Sequence, residues 1–130
     1  MNHIHEREIS AQLGTNVEFM PHVAPFFQGI SLTSNAKLSR DDLTKDYVLD
    51  LYEDYFRDEP LIEVVRDGGI TVKTHGTGRH GVTLGGFEIS GDRLVVVSAI
   101  DNLLKGAATQ CLQNMNLALG LNEFEGISTN

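Results

Sequence analysis

Chemistry in this chain would have to come from a small set of side chains. His3 and His5 stand two residues apart, and His22 lies between Pro21 and Pro25. In an extended segment alternate side chains share one side, so His3 and His5 would present their imidazoles together. An imidazole titrates near neutrality and is the usual proton carrier in carbonyl chemistry. A metal site is not expected: zinc alone wants about four ligands. The nearby acids are only Glu6 and Glu8, and the single cysteine, Cys111, is far along the chain. His22 is expected to be a hydrogen-bonded structural residue, and Cys111 a buried small hydrophobe.

Two further segments carry potential chemistry. Gly76-Thr77-Gly78-Arg79-His80-Gly81 matches the spacing G-x-G-x-x-G. A dinucleotide fingerprint needs its third glycine in the first turn of a helix. Here Val82-Thr83-Leu84, Gly85-Gly86 and Phe87-Glu88-Ile89 follow, which is strand and bulge material. A glycine-rich hairpin loop is therefore expected, with Arg79 and His80 on it within reach of an anion. The second segment is Asp101-Asn102-Leu103-Leu104-Lys105-Gly106-Ala107-Ala108 and the helix that it opens. Between Asn102 and Asn122 the only charged side chain is Lys105. Leu104, Ala107, Ala108, Cys111, Met115, Ala118 and Leu119 form one apolar stripe, expected to face the core. Asn102, Gly106, Thr109, Gln113 and Asn116 form an uncharged polar face, expected either to be solvated or to meet a partner domain, a twin subunit or a cofactor.

The remaining elements must position these groups. Residues 6–13 read as a short helix closed by Gly14, and residues 17–23 as a strand candidate interrupted by Pro21. Residues 29–38 alternate as a strand. Ser39 with Asp42 resembles a capping box opening a helix that runs to about Phe56 and stops before Pro60. Strands are expected over residues 61–66, 70–74, 82–89 and 93–100, with turns at Asp67-Gly68-Gly69 and Ser90-Gly91-Asp92. The long helix spans about 102–120, and the tail, residues 122–130, has no clear pattern. Without βαβ alternation this is an α+β arrangement, a mostly antiparallel sheet with flanking helices.

Length and composition narrow the class. The 130 residues make one domain with a single core. The formal net charge of −8 is local: eight carboxylates against three cations lie between Arg40 and Glu59. They punctuate the apolar positions of a helix, so the charge is a solvated helix face. That excess argues against nucleic-acid binding, which wants a basic stripe. No apolar run approaches the roughly 18–20 residues needed to cross a bilayer, and the N-terminus has no hydrophobic signal-peptide region. One cysteine excludes an internal disulfide framework and fits a reducing compartment.

Four blocks in sequence order resemble the N-acetyl-gamma-glutamyl-phosphate reductase family. They are His3-Ile4-His5 with Glu8-Ile9; Pro21-His22-Val23 with Pro25 and Gly29-Ile30; Leu51-Tyr52 leading to Glu59-Pro60; and residues 98–108 with Gln113-Asn114-Met115-Asn116-Leu117. Asn2-His3-Ile4-His5-Glu6-Arg7-Glu8-Ile9 is more similar to the fungal mitochondrial branch than to the bacterial pattern, which has Thr-Pro in place of Glu6-Arg7. The family departs from this chain in often having Arg where Gln28 stands, and Gly-Ser-Asn in the loop around Thr77 to His80.

The resemblance implies an NADPH-dependent oxidoreductase that converts N-acetyl-glutamyl 5-phosphate to N-acetylglutamate 5-semialdehyde in arginine biosynthesis. It implies a glyceraldehyde-3-phosphate-dehydrogenase-like C-terminal domain, here partial. Residues 1–100 would be the catalytic and dimerisation part. Residues 101–130 would be a helix and tail packing on a Rossmann domain outside this sequence. By the same resemblance His5 handles protons beside a catalytic cysteine, and His3 contacts substrate. Asn102 hydrogen-bonds the nicotinamide amide of NADP, Gly106 permits close approach, and Lys105 attracts phosphate or carboxylate. The nucleophilic cysteine and the true dinucleotide fingerprint are expected outside these 130 residues, so the chain alone is not expected to turn over. A homo-oligomer is implied, in the mitochondrial matrix for a fungal source and otherwise in the cytoplasm. Two other readings fit fewer residues: a non-catalytic dimerisation module, and an aspartate-semialdehyde dehydrogenase-like fragment, which shares the Asp-Asn-Leu and Lys-Gly-Ala-Ala pattern.

Overall fold

The structure is a computed structural model that describes residues 3–129; Met1 and Asn2, at the head of the histidine block, and Asn130, at the end of the tail, lie outside them. Strands β1 (Ile30–Lys37), β2 (Ile62–Val64), β3 (Val82–Ser90) and β4 (Arg93–Ile100) form one sheet in the order β1-β4-β3-β2. β4 pairs antiparallel with both β1 and β3, while β2 runs parallel to β3. The α+β class with flanking helices is as expected, but the sheet is mixed.

The parallel pair corrects the reading of residues 67–81. Parallel neighbours need a crossover rather than a hairpin. The connection from β2 to β3 carries a short helix, α3 (Val72–His75), where a strand over 70–74 was expected. Its β-branched residues read as strand, but Thr71 caps the turn by accepting from Thr74 N at 3.2 Å. The glycine-rich segment therefore joins α3 to β3 and is no hairpin loop.

Helix α1 (Ile4–Leu13) ends on Gly14 in the left-handed region, φ 64°, as its sequence predicts. The strand expected over 17–23 is absent. Val17 N donates to Ser10 Oγ (2.9 Å) and Phe19 N to Glu6 Oε2 (3.2 Å), so α1 side chains take the donors a ladder would use. Helix α2 (Lys45–Tyr55) starts later than expected, capped by Thr44. Asp42 is unavailable as a cap because Arg40 grips it with two bonds of 2.9 and 2.6 Å.

The core lies between α2 and the sheet: Val48 and Leu49 against Phe87, Leu94 and Val96. Phe87, 1% exposed, meets Tyr52 edge-on at 5.0 Å. A bulge at Gly85-Gly86 makes this possible. Gly85 pairs with Val97 but Glu88 with Val95, so β3 holds one extra residue. A one-residue slip exchanges faces; beyond Gly86 (φ 59°), Phe87 and Ile89 turn toward α2 while Glu88 turns out. β1, at the sheet edge, is exposed throughout, with Ile30 and Leu32 both about half uncovered. Beside it runs a cleft of about 150 Å³ lined by Ser34, Ala36, Tyr52, Leu84, Leu94, Val96 and Ser98.

Candidate functional site

The end of β4 delivers Asp101, which is fully buried, at 0% exposure. Its carboxylate accepts four N–H donors. Oδ2 takes Gln28 Nε2 at 2.5 Å and Gly78 N at 2.7 Å; Oδ1 takes Leu103 N at 2.8 Å and Leu104 N at 3.1 Å. One side chain thus ties the segment before β1, the glycine-rich loop and the first turn after β4. Burial alone would raise its pKa, but the donors from Gly78, Leu103, Leu104 and Gln28 outweigh that and hold it below the ordinary carboxylate value.

Asn102, the next residue, is half-buried, and its Oδ1 accepts from Gly29 N at 2.6 Å. The other half of the amide, Nδ2, donates to nothing among the described residues, so Asn102 offers donors outward. Gly29 can stand this close because it has no side chain: its φ is 99°, and a Cβ there would lie 2.1 Å from Val72 Cγ1. The chain then enters a π-helical turn, Leu104–Ala108, rather than continuing as an ordinary helix. Gly106 N bonds Asp101 O at 2.9 Å and Ala108 N bonds Leu103 O at 3.1 Å, each five residues back. Such wide turns occur often at functional sites. Gly106 sits mid-turn, where an added Cβ would meet Asp101 O at 3.4 Å.

Helix α4 (Thr109–Ala118) reverses the expectation for its two faces. Thr109, Gln113 and Asn116, on the polar face, are 2–4% exposed. They are covered by this chain itself. Thr109 Oγ1 meets His80 Nδ1 at 2.8 Å, and Gln113 Nε2 donates to Glu123 Oε1 at 2.7 Å. Asn116 Nδ2 donates to Glu123 O (3.0 Å) and Glu125 O (2.9 Å). The tail, unpatterned in sequence, folds back as the acceptor for these amides and buries Ile127. The expected core stripe is the open one: Ala107, Ala108, Cys111, Met115, Ala118 and Leu119 are exposed, and only Leu104 is half-buried. Cys111 is therefore not a buried hydrophobe. Satisfying one hydroxyl and two amide side chains outranks burying one more apolar stripe when only one face can be covered.

Lys105 lies in the π turn, half-buried, and its Nζ donates to Gln113 Oε1 at 2.6 Å. The histidines form a separate group. His3 caps α1 rather than lying in an extended segment, its Nδ1 accepting from His5 N at 3.3 Å. The His3 and His5 rings are 4.9 Å apart, with Phe19 at 5.3 and 6.2 Å from them. His5 Nδ1 is 2.9 Å from Glu8 Oε2, and both side chains are largely exposed. Among the described residues no hydrogen bond, ion pair or ring contact joins this group to Asn102, Lys105 or Gly106. His22 is exposed and makes no hydrogen bond among the described residues, against the expectation of a structural hydrogen bond. Arg79 pairs with Glu63 at 2.9 Å and His80 with Thr109, so both anchor the glycine-rich loop within the chain. Among the described residues no group of three or more His, Cys, Asp or Glu is placed to hold a metal ion. No described helix is long and apolar enough to cross a membrane.

In the sequence Asp101 stands only as part of a motif; its place as the hub comes from the fold. An Asp directly before a helical segment was the available signal. Gln28, 73 residues away, had none, and neither did Glu123 as a partner of Gln113.

Several known proteins are similar to this chain. The family model described as "Semialdehyde dehydrogenase, dimerisation domain" matches residues 1–102. The chain is 51% identical over 127 residues to "Bifunctional protein argC, mitochondrial" of Dictyostelium discoideum, covering 98% of this chain and 15% of that protein. It is 54% identical over 129 residues to "Protein arg-6, mitochondrial" of Neurospora crassa, covering 98% of this chain and 14% of that one. It is 50% identical over 128 residues to the N-acetyl-gamma-glutamyl-phosphate reductase of Stenotrophomonas maltophilia, covering 97% of this chain and 39% of that protein. The chain thus spans two fifths or less of these relatives. In fold it is similar to aspartate semialdehyde dehydrogenase II of Vibrio cholerae, with a TM-score of 0.61 at 21% identity over 74% of this chain and 28% of that one. A match running from the histidine block to the buried Asp101 establishes that the chain belongs to the semialdehyde dehydrogenase family, as its dimerisation domain.

Proposed function

We propose that this chain is the C-terminal, catalytic and dimerisation part of an NADPH-dependent reductase converting N-acetyl-glutamyl 5-phosphate to N-acetylglutamate 5-semialdehyde in arginine biosynthesis. One observation carries the reading. Identity of about half to proteins of that pathway extends over 97–98% of the chain, past residue 102 where the family domain ends and through α4 and the tail. Residues 1–100 form the catalytic and dimerisation part, and residues 101–130 the element that packs on a cofactor domain supplied from elsewhere in the protein. The exposed stripe from Ala107 to Leu119 supports that division, since an apolar helix face of this size wants cover.

The residues fit a nicotinamide carboxamide. Asn102 spends its carbonyl on Gly29 N and keeps its amide N–H groups to donate, so it would hold the carboxamide oxygen. Gly106, without a Cβ, would let the ring lie close to the π turn. NADPH supplies the hydride when bound; this chain's residues orient and exclude water. His5, with Glu8 at its Nδ1, would move the proton, His3 would contact substrate, and Lys105 would hold its phosphate or carboxylate. The names of the Dictyostelium and Neurospora relatives place those proteins in mitochondria. The mitochondrial matrix suits this chain if its source is fungal, and the cytoplasm otherwise.

The test is a chimera in which residues 1–130 replace the matching region of the Stenotrophomonas reductase. It is expected to oxidise NADPH with the acyl phosphate. His5→Asn is expected to lower kcat by about 10²- to 10⁴-fold with the KM for NADPH unchanged. A silent chimera that folds and binds NADPH would favour the second reading, a dimerisation module without catalysis, which the family description by itself also fits. Unchanged kcat in His5→Asn would remove His5 from the mechanism.

A further inference from the structure

We propose that Gln113 and Glu123 are positioning residues that hold the Lys105 ammonium in place without neutralising it, so that its charge stays available to an anionic group of the substrate. The inference rests on the reading of Lys105 given above and adds the buried amide face and the tail to it.

Three bonds in series carry the argument. Lys105 Nζ donates to Gln113 Oε1 at 2.6 Å, and Gln113 Nε2 donates to Glu123 Oε1 at 2.7 Å. Asn116 then fixes the backbone of Glu123 by donating to its carbonyl at 3.0 Å. The orientation of the Gln113 amide is dictated by chemistry: an ammonium can only donate and a carboxylate can only accept. Oε1 must face Lys105 and Nε2 must face Glu123. At 4% exposure Gln113 has no water-facing alternative.

A carboxylate in the place of Gln113 would hold the lysine as an ion pair that cancels its charge, and would face Glu123 with no N–H to donate. Among the described residues Lys105 has no carboxylate oxygen within 4 Å, although the chain carries 18 acidic residues. The neutral amide takes one of the three ammonium N–H groups and leaves two for a ligand. Glu123 acts at one remove, polarising the amide and preventing it from flipping. A purely structural tie between the π turn and α4 would need neither the buried amide nor the acid behind it.

The experiment uses the same chimera and reads KM for the acyl phosphate separately from kcat and from KM for NADPH. Gln113→Glu places a carboxylate on Lys105 and is expected to raise the acyl-phosphate KM about fivefold to thirtyfold, with the other two constants within about twofold. Glu123→Leu is expected to act in the same direction, and Glu123→Gln, whose carbonyl still accepts from Gln113, to restore the constant. Lys105→Met separates the layers. If it leaves the acyl-phosphate KM unchanged, the reading of Lys105 fails. If it raises KM while Gln113→Glu and Glu123→Leu do not, Lys105 stands and the positioning chain is overturned. A joint fall in kcat and thermal midpoint in every variant would make the chain structural and overturn it equally. A second measurement needs no turnover: in the 130-residue chain, Glu123→Leu is expected to speed acylation of Lys105 several-fold relative to Lys37, Lys45 and Lys73. Equal labelling overturns the proposal.

Discussion

Asp101 is the side chain on which the candidate site turns, because one buried carboxylate satisfies donors from three separate segments. Replacing it with Asn puts an N–H₂ where an acceptor is needed, so two donors face a donor. Asp101→Asn is expected to cost about 1–3 kcal/mol of stability, measured by urea unfolding at neutral pH. The carboxylate also has a pH signature. Its folded-state pKa is depressed, so its contribution is complete above the unfolded value of about 3.9 and is lost as pH falls toward the folded value. The wild-type midpoint should fall as pH drops below about 4, and the drop should be smaller in Asp101→Asn; equal slopes would mean that another carboxylate governs it. At this scale the residue types were legible in sequence, but their assignments were not. Lys105 stood out as the one charged side chain between Asn102 and Asn122, and Asn102 through the family resemblance, whereas Gln28 and Glu123 gained meaning only once the chain brought them to Asp101 and Gln113.

At the scale of elements the informative device is the turn before β1, where Gly29 presents its N–H to Asn102. Any Cβ there runs into Val72 and must also adopt a φ of 99°. Gly29→Ala is expected to destabilise by about 1–3 kcal/mol and to weaken NADPH binding in the chimera, since the Asn102 amide loses its anchor. Gly69→Ala, which meets nothing within 4 Å, is the neutral control; equal effects of the two would sink the argument. The elements with strong local chemistry were readable: α1 with its Gly14 stop, β1, β3, β4, and the Gly85-Gly86 bulge. Those decided by competition were not. Thr71 turned a β-branched stretch into α3, Arg40 took Asp42 from its capping role, and α1 side chains took the donors of the expected strand after Gly14. In each case one or two side-chain bonds outweighed a propensity worth a few tenths of a kcal/mol per residue.

Among the uncovered apolar surfaces of the described residues are the edge around β1 with its neighbouring cleft, and the outer stripe of the π turn and α4. For a dimerisation domain the first suits a second copy, and the second suits the cofactor domain. Light scattering of the 130-residue chain is expected to give a dimer, with Leu32→Glu shifting it to monomer while circular dichroism is unchanged. A monomeric wild type would remove β1 as the interface. The α+β class, the local nature of the acidic charge and the resemblance carried by residues 98–108 all followed from sequence, because composition, periodicity and short motifs are written in neighbouring residues. Which face of α4 is covered did not. The apolar stripe and the amide face both asked for burial, and the choice fell to a tail whose carbonyls and Glu123 carboxylate happen to satisfy Gln113 and Asn116. Only tertiary structure could decide that, since buried amides need partners at hydrogen-bond distance, and distance between remote residues is what a linear sequence does not contain.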